Sequence, residues 1–152
     1  MHTKWALAAS LLLFSFTRVA AQSEAELQMM YKSFTERQGY ESWIDGDGDV
    51  QFKRENYTYF IEVNEDDLEF FRVVLPNIWP IESEMERLQA QRAVNAANTA
   101  LKVVKLYTID DNVWVGIENL HEDVSDFEAH FSRYLSLIDT GVARFVSEME
   151  ED

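Results

Sequence analysis

The residues of this chain best spaced for chemistry are three aspartates at alternate positions, Asp45, Asp47 and Asp49, in the run Asp45-Gly46-Asp47-Gly48-Asp49. Carboxylates at that spacing open the calcium loop of an EF-hand. The remainder of such a loop is missing: Val50 stands sixth, where the sharp turn needs glycine, and Asn56 stands twelfth, where a bidentate glutamate belongs. Aspartate and glycine also suit a tight turn between strands, because both tolerate positive φ. The motif is therefore expected to be a structural turn, with a weak cation site on Asp45, Asp47 and Asp49 as the alternative. His121 and His130, with Glu122 and Asp126 nearby, lack the spacing of a zinc site and are expected on the surface. The chain has no cysteine, no nucleophile elbow, no phosphate-binding glycine loop and no dinucleotide fingerprint. No carboxylate pair is singled out by apolar surroundings. No catalytic residue or cofactor is assigned, and the chain is read as a non-enzyme, a small exported hydrolase using carboxylates being the alternative class.

The first 21 residues set the expected compartment. Lys4 gives a positive start, Trp5 to Phe16 is apolar or small apart from Ser10 and Ser15, and Val19-Ala20-Ala21 offers small residues before a cut. That run is shorter than the roughly 20 apolar residues a spanning helix needs, so no stable membrane insertion is expected. Residues 1–21 read as a signal peptide and residues 22–152 as one domain, periplasmic or secreted after cleavage. Losing Lys4 and Arg18 from the 13 bases leaves 11 against 28 acids, a formal net charge of −17. Nucleic acid and anionic lipid would repel such a surface, so neither is an expected partner.

The elements that would position any site follow from periodicity. Ser23 to Gln38 reads as a helix, with Leu27, Met30, Tyr31 and Phe34 on one stripe and a capping box from Ser23 to Glu26. Gly39 is expected to close it at positive φ. Tyr40–Asp45, Val50–Lys53, Asn56–Val63 and Phe70–Leu75 read as strands, ended by Pro76 and Pro80. A second helix opens at Ser83, with Glu86 completing another capping box and Ala90, Ala93, Ala97 and Ala100 on a small-residue face. Lys102–Ile109 and Val113–Leu120 form a hairpin, and a long helix follows from Asp123 or Ser125 onward. Gly141 within that helix costs about 1 kcal/mol relative to alanine and predicts a bend or loosening there.

A two-residue turn at Asp111-Asn112 would set Lys105 opposite Glu118, Tyr107 opposite Gly116 and Ile109 opposite Trp114. Both faces of the hairpin are then substantially apolar, so something must cover the second face. Trp43 and Trp79 are read as core residues. Phe60, Tyr107 and Trp114 are the candidate partner-binding residues, covered either by a helix of the same chain or by a partner, a second copy included.

Several details resemble the YbjN family. They are Gly39-Tyr40 after the first helix, the strand-turn-strand run Asp45–Lys53, Val94-Asn95-Ala96-Ala97-Asn98 late in the second helix, and a hairpin with an acidic turn before one long closing helix. The resemblance spans about residues 24–149. It implies an α+β fold like that of type III secretion chaperones: helix, three or four antiparallel strands, helix, two-strand hairpin, long helix. It also implies a small protein, often dimeric, that binds partner polypeptides without catalysis. With an export leader in front, the expected function is an exported protein-binding module, chaperone-like or regulatory.

Overall fold

The computed structural model describes residues 23–151, so the expected leader lies outside the described residues. Helix α1 (Glu24–Arg37) starts at Ser23, whose hydroxyl accepts from the Glu26 N–H while the Glu26 carboxylate accepts from the Ser23 N–H, the expected capping box. Four strands follow: β1 (Glu41–Ile44), β2 (Val50–Arg54), β3 (Tyr57–Ile61) and β4 (Phe70–Pro80). Helix α2 (Glu84–Ala100), strands β5 (Val104–Ile109) and β6 (Asn112–Leu120), a 3₁₀ turn at Val124–Asp126 and helix α3 (Phe127–Glu150) complete the chain. The strands form one antiparallel sheet in the order β1-β2-β3-β4-β6-β5. Because β6 lies between β4 and β5, α2 is the crossover that carries the chain past β6 to the edge of the sheet.

All three helices pack on one face of that sheet. The stripe Leu27, Tyr31 and Phe34 of α1 meets Phe127 and Phe131 of α3 edge-on, at ring distances of 4.9–5.1 Å, over Phe71 of β4. Burying each such side chain stabilises the fold by about 1.5–3 kcal/mol. Burial also pushes the Tyr31 hydroxyl up to a pKa of about 12. Arg54 of β2 ties the sheet to α3 through two parallel 2.8 Å bonds to the Asp139 carboxylate. On the edge strand β5, the Leu106 N–H donates to Asn98 Oδ1 and Asn98 Nδ2 donates back to the Leu106 carbonyl, both at 2.9 Å.

Three expectations need correction. Strand β4 does not stop at Pro76; it runs to Pro80, paired with Asn112. Between Leu75 opposite Val115 and Trp79 opposite Val113, the residues Pro76, Asn77 and Ile78 face Trp114 alone, so the proline that cannot donate to a ladder sits in a bulge. The second capping box is half-made. Ser83 caps the Glu86 N–H, but the Glu86 carboxylate reaches back to the Glu82 N–H and to Trp79 Nε1. The loosening expected at Gly141 is not seen either: the residue lies inside one continuous 24-residue helix.

Gly141 is instead a point where α3 lies close against the sheet. A Cβ there would meet Val104 Cγ2 at 3.0 Å and Val115 Cγ2 at 3.1 Å. Both valines are β-branched, buried and fixed by the ladder, so they have little room to give. Gly141→Ala is therefore expected to destabilise the protein by about 1–3 kcal/mol through overpacking, although alanine is the better helix former. Chemical denaturation of the variant checks the sign.

Candidate functional site

Among the described residues no helix lies on the opposite face of the sheet, and its centre holds the three residues singled out above. Phe60 of β3 meets Trp114 of β6 edge-on at 6.0 Å, and Trp114 meets Tyr107 of β5 at 6.3 Å. All three are half-buried. Beneath them Val74 is fully buried, paired with Phe60 on one side and Gly116 on the other. A Cβ at Gly116 would lie 3.1 Å from Val74 Cγ2 and 3.0 Å from the Val73 carbonyl, so packing on β4 favours glycine at this position. Trp114 Nε1 donates to Asn77 Oδ1 at 3.1 Å, and Asn77 adopts φ 56° within the β4 bulge. The bulge thus orients the tryptophan.

The hairpin register differs from the expected one by two residues. The turn is Asp110-Asp111, Tyr107 pairs with Trp114, and Lys105 pairs with Gly116. Asp110 takes the positive φ of 49° that the turn needs, and Arg87 of α2 holds the turn through the Asp110 carbonyl and the Asp111 carboxylate. A shift of two preserves which side chains share a face. Lys105 still reaches Glu118 diagonally, at 3.0 and 3.1 Å.

Arg72 of β4 completes the site, and the sequence reading missed it. Its Nη1 donates to Glu62 at 2.7 Å and its Nη2 to the Tyr107 hydroxyl at 2.7 Å. Its Nε is buried without a hydrogen-bond partner among the described residues, 3.6 Å from Glu118 Oε1. Burial, the largest single influence, pulls the guanidinium pKa down, but Glu62 and Tyr107 outweigh it and the net shift is upward. An arginine alternating with Phe70 and Val74 was visible in the sequence. That β3 and β6 flank it with glutamates became visible only with the strand order.

The candidate metal ligands are otherwise engaged. Asp45 Oδ1 accepts from the Asp47 and Asp49 N–H groups at 2.9 and 3.0 Å, and Oδ2 accepts from Gln51 at 2.7 Å. Asp49 accepts from the Val63 N–H at 2.9 Å, and burial raises its carboxyl above the usual range despite that bond. Among the described residues no group of three or more His, Cys, Asp or Glu side chains converges as a metal site.

His121 corrects another expectation. Rather than lying on the surface it is buried, 9 % exposed, against Phe71 at 5.8 Å and the Tyr134 hydroxyl, 3.2 Å from its Nε2. The chain after β6 is pinned inward there, the His121 N–H donating to the Glu69 carbonyl at 2.8 Å. His130 is exposed, its ring parallel to that of His121 at 6.3 Å.

The geometry defines an α+β protein with a six-stranded antiparallel sheet, helices on one face and an aromatic patch on the other. In fold the chain is similar to YbjN from E. coli, a protein assigned only provisionally to transcription regulation, with a TM-score of 0.56 at 12 % identity. The match covers 74 % of this chain and 86 % of that one, so the fold is YbjN-like. No family model matches the chain, and no curated protein matches it. Among the described residues no helix is long and apolar enough to cross a membrane.

Burial, reinforced by His130 and opposed by Asp126, holds the His121 imidazole below its ordinary pKa of 6.5. The unfolded chain binds that proton more readily, so the stability contributed by neutral His121 is present above pH 6.5 and is lost as the pH falls through the folded value. Thermal melts in steps from about pH 8 to pH 5 should show a decline that His121→Asn makes shallower. Equal slopes for the two proteins would contradict the assignment.

Proposed function

We propose that this chain is an exported, noncatalytic protein-binding module of YbjN type, chaperone-like or regulatory, acting in the periplasm or the medium after loss of residues 1–21. It would hold a protein or peptide partner against Phe60, Tyr107 and Trp114. The observation that carries this reading is the aromatic trio standing half-exposed on a sheet face that no helix covers among the described residues. Aromatic anchors with flanking charges suit a protein interface, the rings giving contact area and the charges setting orientation. Lys105, Glu118, Arg72 and Glu62 supply those charges, each already hydrogen-bonded and so fixed in place. A regulatory role by direct contact with DNA is disfavoured by the formal charge of −15 over the whole chain. The noncatalytic reading rests on how the acidic residues are used, as turn, cap and ion-pair partners.

Trp114→Ala is the discriminating variant. It is expected to abolish capture of a partner from a periplasmic fraction, while costing less than the roughly 3–5 kcal/mol of truncating a fully buried aromatic. A loss of that full size, with capture unchanged, would make Trp114 a packing residue and remove the basis of the reading. Export has its own check: intact mass of the protein recovered outside the cytoplasm should begin at Gln22.

A further inference from the structure

A second candidate site lies on the helix side, at the end of the sheet where α2 hands the chain to β5. There a cleft of about 540 Å³, in the range of small-molecule pockets, opens between that junction and α3. Its walls are Leu101, Val103 and Leu137, and its rim carries Lys102, His130 and Arg133. Two features of this cleft are unexplained by folding alone.

The first is charge. Of the 11 bases in the described part of this acidic chain, eight form ion pairs; Arg92, Lys102 and Arg133 are those without one among the described residues. Two of these three line the same cleft. The second feature is Val103. It adopts φ 73° and is 56 % exposed, so a β-branched apolar residue is held both in a disfavoured backbone region and in water. Strain of this kind persists at ligand-binding positions.

The cleft floor narrows the chemistry further. The Tyr134 hydroxyl accepts from Asn119 Nδ2 at 2.7 Å and is bonded to His121 Nε2 at 3.2 Å, so the polar groups beside the cleft are already partnered. The two unpaired cations are where a ligand's negative charge belongs, and Leu101, Val103 and Leu137 take its apolar part. We infer that this cleft binds a small amphipathic carboxylate, its anionic head between Lys102 and Arg133 and its aliphatic tail on Leu101, Val103 and Leu137. The guanidinium fork of Arg133 fits a carboxylate's two oxygens.

Isothermal titration of the purified protein with sodium octanoate, octanol and sodium acetate tests the assignment. Octanoate should bind saturably, one per chain, and each of the other two at least roughly tenfold more weakly, since each lacks one half of the recognition. The double variant Lys102→Gln/Arg133→Gln should weaken octanoate by about tenfold or more with its melting temperature unchanged, both side chains being exposed and unpaired. Val103→Gly, which relieves the backbone and removes a wall, should also weaken octanoate, whereas Trp114→Ala on the opposite face should not. No saturable octanoate binding, octanol binding equally well, acetate binding equally well, or an unaffected double variant would each overturn the inference.

Discussion

A guanidinium in the middle of a half-buried sheet face has to be answered from every side, and Arg72 sets that condition for the open face of this protein. Its partners come from three separate places in the sheet: Glu62 just past β3, Glu118 from β6 and the Tyr107 hydroxyl from β5. Only a sheet in which β4 sits between β3 and β6, with β5 beyond, brings all of them within reach. The polar cluster therefore works as a check on strand order as well as a frame for the rings beside it. Tyr107 belongs to both systems, bonded to Arg72 through its hydroxyl and packed on Trp114 through its ring, with Lys105 Nζ 5.5 Å from its centre.

The face assignment of these residues was legible in the sequence although the register was not, for a geometric reason. Side chains alternate with a period of two, so an error of two residues leaves each on its own side. Moving the turn from Asp111-Asn112 to Asp110-Asp111 changed every cross-strand partner and no face. The turn itself could not be placed, because Asp110, Asp111 and Asn112 are all turn-forming residues and the tie that decides between them comes from Arg87 on a distant helix. The same limit explains Pro76. Read locally it ends a strand, but a bulge opposite Trp114 lets the strand continue around it.

His121 was misplaced and the close packing at Gly141 was missed because what decides each lies outside its own segment. Nothing near His121 in the chain shows that Phe71 will lie against it, and nothing near Gly141 shows that Val104 and Val115 will press on the helix there. The capping motif of α1, the apolar stripes and the order helix, strands, helix, hairpin, helix were readable because they depend on neighbours within a few turns. A fold defined by such patterns tolerates wide substitution, which is consistent with a YbjN-like architecture at 12 % identity.

Asn98 has a consequence for how this sheet can meet other sheets. By accepting from the Leu106 N–H and donating to its carbonyl, the amide acts as a one-residue counterfeit of a seventh strand. An incoming strand at β5 finds the middle of its template already taken. At the far side, β1 offers only four residues. A sheet blunted at both margins resists the end-to-end growth that leads to fibrils, so contacts with other chains are steered onto its flat surface and away from its rims.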